Sequence, residues 1–264
     1  MLAIKGITKL FSVGGGNFKA AVNRVDLSVE KGQFVTVIGS NGAGKSTLLN
    51  LIAGRIMPDR GTIALEGVDI TRWSEHRRAK FIGRVFQDPL QGTSASMTIE
   101  ENLSMAECRA VRRGLRRGVT NESRSRYREL LAPLGLGLED RLRSEVGLLS
   151  GGQRQSLSLI MATMTRPSLL LLDEHTAALD PKTAQQVLAL TRRIVGQYGL
   201  TTLMVTHNLE HSLRTGDRTI MMHEGRIVLD IAGPERERMT VEELLGKFSR
   251  VRGEQIVDDR ILLA

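Results

Sequence analysis

The chain is 264 residues long, 41% apolar and only 3% aromatic, enough for one large domain or two small ones around an aliphatic core. A single cysteine, Cys108, excludes an internal disulfide. No apolar run of about 18 residues and no charged-then-apolar leader occurs, so a soluble cytoplasmic protein is expected.

Residues 2–7 alternate apolar and polar, as a half-buried strand does; Gly14 to Asn17 mark a turn, and residues 22–29 alternate again. Phe34-Val35-Thr36-Val37-Ile38 reads as a buried strand. It runs into Gly39-Ser40-Asn41-Gly42-Ala43-Gly44-Lys45-Ser46-Thr47, which fits the phosphate-loop pattern G-x-x-x-x-G-K-[ST]. Leu48, Leu49, Leu51 and Ile52 then recur at helical spacing through Ala53. Glycines at a strand-to-helix turn let successive backbone N–H groups face one anion, and the helix start adds unsatisfied donors. Lys45 supplies a full charge for β- and γ-phosphates, and Ser46 a hydroxyl for Mg²⁺. A turn at 58–61, a strand over 62–65, a short helix over 75–80 and a strand over 82–86 complete a β-rich first 87 residues.

The middle is helical. Thr98 to Glu101 form a capping box, a second helix is expected over about 122–134, and a third begins at Ser150. Arg109, Arg112, Arg113, Arg116, Arg117, Arg124, Arg126 and Arg128 cluster here within a net charge of +8. A solvated helix face plus loop explains such a run, with a membrane surface or a partner's acidic loop as sharper readings. Nucleic acid comes last, because only Tyr127 interleaves to stack bases.

Strand and helix alternate again towards the end: strands over 169–172, 201–206, 218–222 and 227–231, helices over 181–198 and 209–214, and a last helix opened by Thr240. Such alternation argues a mostly parallel sheet. The four leucines of 169–172 lead into Asp173, placed to hold Mg²⁺, and Glu174, placed to polarise an attacking water. Between the helical segment and this strand lies Leu149-Ser150-Gly151-Gly152-Gln153. There Ser150 and Gln153 make a helix-start arrangement, and the two glycines let an anion approach the backbone.

With these three motifs in this order, the chain resembles the ATP-binding cassette (ABC) ATPases over residues 1–247. The resemblance implies an α/β phosphate-loop NTPase core with a mostly parallel sheet, an antiparallel β subdomain and an inserted α-helical subdomain. It implies one domain over 1–264, with 1–87 and 165–247 as core plus β subdomain, 88–164 helical and 248–264 a tail. It also implies hydrolysis of ATP with Mg²⁺ between two copies, where Ser150, Gly151, Gly152 and Gln153 of one close over the phosphate loop of the other. By the same resemblance Gln87 senses Mg²⁺ or water, Asp180 is the aspartate of the loop after the acidic strand, and His207 touches the γ-phosphate. Phe11 stacks on adenine, with Phe18 as its rival. His175 and Ala177 stand where the family often has Pro and Ser, which implies a looser loop and one lost contact across the dimer.

The lone cassette is similar to importer subunits, and Asp173 to Asp180, Phe86 to Pro89 and Met239 to Leu245 resemble cassettes of tryptophan/tyrosine-type uptake systems. The implied partners are a second copy, integral membrane permease subunits on the inner face of the cell membrane and, indirectly, a solute-binding protein; no nucleic acid is expected. The alternative is a soluble cassette acting as an assembly or nucleic-acid factor, motivated by the arginines. A kinase or GTPase leaves the 149–153 stretch unexplained and lacks an Asn-Lys-x-Asp motif.

Overall fold

The computed structural model describes residues 1–109 and 118–252, so Arg112, Arg113, Arg116 and Arg117 lie outside the described residues. In chain order the elements are β1 (Leu2–Gly14), β2 (Asn17–Val29), β3 (Phe34–Ile38), α1 (Lys45–Ala53), β4 (Arg60–Leu65), β5 (Val68–Asp69), α2 (Glu75–Arg78), β6 (Ile82–Val85), α3 (Ile99–Glu107), α4 (Asn121–Leu131), α5 (Gly151–Thr163), β7 (Leu169–Asp173), α6 (Pro181–Tyr198), β8 (Thr201–Val205), α7 (Leu209–Thr215), β9 (Arg218–His223), β10 (Arg226–Ala232), α8 (Gly233–Glu237) and α9 (Val241–Arg252). They fall into two compact units: Met1–Arg78 with the chain from Thr201 onward, and Ala79–Leu200.

In the first unit, β1 pairs antiparallel with both β2 and β4, and β4 with β5. Alternate residues Leu2, Ile4, Val25, Leu27, Val29, Ile63 and Leu65 are buried, as period-2 patterning requires. The expected strands 2–7 and 22–29 are longer than the sequence suggests, because their far halves form a hairpin closed at Gly15-Gly16. Both turn glycines have positive φ (59° and 77°), which suits a two-residue hairpin turn. That distal half is exposed on both faces, so it carries no alternation to read. β3 pairs in parallel with β8 and β9, and β9 turns antiparallel into β10. Every residue of β3 and β8 is buried. Ile38, Leu209, Met221, Ile231, Leu244 and Phe248 form a cluster that seats α9. The short α8, unforeseen in the sequence, carries Pro234 in its first turn and buries Arg236.

The second unit pairs β6 with β7 in parallel, with α3 packed on α4 and α5, and α5 on α6. Leu169 to Leu172 are fully buried, each contributing about 1.5–3 kcal/mol relative to exposure. The capping boxes at Thr98 and Ser150 both form. The helix expected to reach residue 134 ends as an α-helix at Leu131 and tightens to a 3-10 turn through Leu134. Several arginines of the cluster are spent inside this unit. Arg124 grips Glu100 through two bonds of 2.8 and 3.0 Å, Arg126 pairs with Glu107 at 2.6 Å, and Arg109 donates to the Met161 carbonyl. Arg128 is exposed.

Candidate functional site

The phosphate loop leaves β3 and enters α1, whose N-cap Gly44 offers no side-chain cap. A helix start without a side-chain cap is a place where backbone N–H groups can meet an anion. Gly44 has φ 101°, and a Cβ there would lie 2.2 Å from the Ala21 carbonyl, so neither the conformation nor the space admits another residue. Lys45 is buried, and its Nζ donates to the carbonyls of Gly39 at 2.7 Å and Ser40 at 3.1 Å. The loop's own carbonyls thus hold the ammonium folded over the cradle. Ser46 is exposed at the start of α1. In the same unit Val37 registers with Val205, and Thr206 N donates to Val37 O at 3.1 Å. The loop after β3 and His207 after β8 consequently emerge at one sheet edge.

The second unit assembles the rest in the same way. Val85 registers with Leu172, so Phe86-Gln87 and Asp173-Glu174 leave neighbouring strands at the same end. Gln87 is exposed, and Asp173 and Glu174 are half-buried. Glu174 has φ 45°, a left-handed conformation uncommon for a non-glycine residue and frequent at functional sites.

At α5, Ser150 Oγ accepts from Gln153 N at 3.2 Å while Gln153 Oε1 accepts from Ser150 N at 3.1 Å. Gly152 is buried, and a Cβ there would meet Thr183 Cγ2 at 2.2 Å. The same Thr183 donates its N–H to Asp180 Oδ1 at 3.1 Å, capping α6. Hydrogen bonding from the Thr183 side chain, and then from its N–H, holds the Asp180 carboxyl below its ordinary pKa. Thr183 thus joins the 150–153 stretch to Asp180, a link that spacing along the chain does not announce.

Phe11 and Phe18 sit on the hairpin, 43% and 68% exposed. Phe11 registers with Lys19 and Ser12 with Phe18, so the two rings are on opposite faces and exclude each other as stackers on one base. The Lys9 ammonium lies 5.7 Å from the Phe11 ring centre.

His175 does not leave its loop loose, as the missing proline suggests. It is buried, and its Nε2 lies 3.1 Å from Thr191 Oγ1. Thr191 donates its own proton to Val187 O at 2.8 Å, so the histidine is the donor. The loop is pinned to α6 by a side chain rather than by a ring. Gln155, buried two residues beyond Gln153, donates to Phe86 O at 3.2 Å and so ties α5 to the segment of Gln87. Its role needs the fold to be seen, since any helix-interior glutamine looks alike.

His211, one turn beyond His207, is held below its ordinary pKa of 6.5 by burial, with Glu210 opposing and His207 and Arg214 reinforcing. The unfolded chain then binds this proton more readily than the folded one, so stability falls as pH drops through about 6.5. Urea unfolding at pH 7.5 and 5.5 is expected to show that loss, and His211→Gln to reduce it; an unchanged pH dependence in the variant would contradict the assignment.

No helix among the described residues is long and apolar enough to cross a membrane. The ABC transporter family matches residues 22–177. A tyrosine transport ATP-binding protein of Clostridioides difficile is 48% identical over 248 residues, 94% of this chain and 98% of that protein. The methionine import ATP-binding protein MetN of Corynebacterium efficiens is 37% identical over 229 residues, and the matched part is 85% of this chain but 60% of that longer protein. Among solved structures, the dimeric ATP-binding cassette MJ0796 bound to ADP and Pi is similar at TM-score 0.76 and 28% identity, covering 88% of this chain and 98% of that one. A nucleotide-free ATP-binding cassette reaches TM-score 0.77 at 27% identity, with 97% and 99% covered. Phosphate loop, acidic strand end and 150–153 helix start occur in the family's order on the family's fold, and the chain therefore belongs to the ABC transporter family, as one of its ATP-binding, ATP-hydrolysing subunits.

Proposed function

We propose that this subunit powers uptake of an amino acid across the cytoplasmic membrane as a head-to-tail homodimer, peripheral on the inner face and seated on integral permease subunits that a solute-binding protein serves. The domain is one ATPase, with a core and antiparallel β subdomain over 1–87 and 165–247 and a helical subdomain over 88–164. The observation that carries the reading is Ser150, exposed at the N-terminus of α5 and braced by its capping box, a second helix start besides α1 of the kind that suits an anion. The tyrosine and methionine relatives support amino-acid uptake, and the MJ0796 dimer supports pairing.

In this reading Gly39 to Thr47, with Lys45, hold the phosphates, and Phe11 stacks on the base. Ser46, Gln87 and Asp173 offer hydroxyl, amide and carboxylate oxygens, the hard donors that Mg²⁺ takes beside substrate phosphates. When bound, that ion neutralises phosphate charge. Glu174 accepts the proton of the attacking water, and His207 hydrogen-bonds the γ-phosphate. The partner's Ser150, Gly151, Gly152 and Gln153 close the site, with Asp180 beside them. Closure passes through the segment after Gln87 to the permease.

Mixing two inactive variants tests the pairing. Lys45→Ala has no working phosphate loop, and Ser150→Arg sets a cation against the positive end of α5. A mixed head-to-tail dimer holds one intact site, so an equal mixture is expected to recover about a quarter of the wild-type ATPase rate if sites act independently. A mixture as inactive as its components argues against shared sites.

A further inference from the structure

Arg84 belongs to none of the motifs, yet it sits among them. On β6 it registers with Leu171, which places Asp173 as its diagonal neighbour on the same face of the strand pair. Its side chain is only 9% exposed, and Nη2 donates to Asp173 Oδ2 at 2.9 Å. The guanidinium carbon lies 4.7 Å from the centre of the Phe86 ring. Nε and Nη1 are buried and make no hydrogen bond. A buried guanidinium with two idle donors is costly, so a structural bridge alone is a poor use of it. The Asp173 side chain, 13% exposed, equally needs a cation beside it.

We propose that Arg84 is the resident counter-ion of Asp173, holding the carboxylate while no divalent cation is bound and yielding it when Mg²⁺ binds. This rests on the metal role given to Asp173 above. Two cations on one carboxylate repel each other, so metal binding and the Arg84–Asp173 bond oppose one another. Once released, the guanidinium keeps the Phe86 ring as a partner, and its idle donors are available to water. Gln87 follows Phe86 directly, so the exchange occurs on the strand that positions it. Arg84 is a positioning residue, acting through Asp173.

The test is Mg²⁺ titration of binding of a fluorescent, non-hydrolysable ATP analogue to the full chain. Arg84→Gln is expected to lower the half-saturating Mg²⁺ concentration on the order of tenfold, with affinity in EDTA unchanged within about twofold. Arg84→Lys keeps a competing charge and is expected to stay near the wild type. An Arg84→Gln requirement equal to or above the wild type overturns the counter-ion role. Asp173→Asn with a wild-type Mg²⁺ requirement overturns the metal role instead, which separates the two failures. If Arg84→Gln is too unstable to titrate, ¹⁵N spectra of the wild type decide: the Arg84 Nε resonance, assigned by its absence in Arg84→Lys, shifts when Mg²⁺ joins the bound analogue. An unmoved resonance overturns the proposal.

Discussion

Glu174→Gln is expected to abolish turnover while nucleotide binding survives. The residue sits one step beyond β7, where the backbone leaves the sheet with φ 45°. Gln has the same length and similar backbone preferences, so the loop and the His175–Thr191 tether should be undisturbed. What is lost is the carboxylate proposed above to accept the proton of the attacking water. General-base removal costs about 10²–10⁴-fold in rate, and phosphate release should fall by that factor. The groups of the phosphate loop are untouched, so the variant should accumulate as an ATP-bound dimer, visible by size-exclusion chromatography with Mg·ATP. Near wild-type hydrolysis would remove Glu174 from the base role.

Arg78→Met should be among the most destabilising single changes in the first unit. Arg78 is 1% exposed, and it donates to four backbone carbonyls: Nη1 to Leu51 and Ile52, each at 2.8 Å, Nη2 to Thr71 at 2.9 Å and Nε to Trp73 at 3.0 Å. Leu51 and Ile52 lie in the last turn of α1, where carbonyls run short of partners along the helix; Leu51 O keeps one, accepting from Gly54 N at 3.2 Å. The guanidinium therefore finishes the very helix that the phosphate loop begins, and its charge complements the negative end of that helix. Methionine fills similar space but removes four buried hydrogen bonds and the charge at the helix end together, at a cost of about 3–5 kcal/mol. Urea unfolding should show it as a lower midpoint with an unchanged slope. Arg78→Lys, with a point charge in place of a five-donor fork, should fall between the two. A midpoint shift worth under about 1 kcal/mol would mean that water satisfies the carbonyls equally well. Gly54 adds an independent check, since a Cβ there would lie 2.7 Å from Arg78 Nε.

The arginines show how composition misleads. A net charge of +8 suggests an anionic partner, yet Arg78 and Arg236 are buried on carbonyls, Arg124 and Arg126 hold acidic side chains, and Arg84 faces Asp173. Charge counted along a chain cannot distinguish a guanidinium facing solvent from one that finishes a helix.

The parts whose chemistry is local are legible in the chain alone. A strand, nine residues from Gly39 to Thr47 and a helix specify a phosphate cradle, because backbone conformation over a few residues is set by the residues present. The same holds for the Thr98 and Ser150 caps and for the buried runs of β3 and β7. What depends on residues far apart becomes visible in the folded chain. Arg84 meets Asp173 across 89 positions, Gln155 meets Phe86 across 69, and Thr183 fills the space that Gly152 leaves. Which residue stands opposite which is settled by strand register and helix packing, and neither leaves a periodic mark in the chain. The turn at Gly14 to Asn17 was legible, but the full length of β1 and β2 was not, for the converse reason: where neither face is buried, alternation disappears.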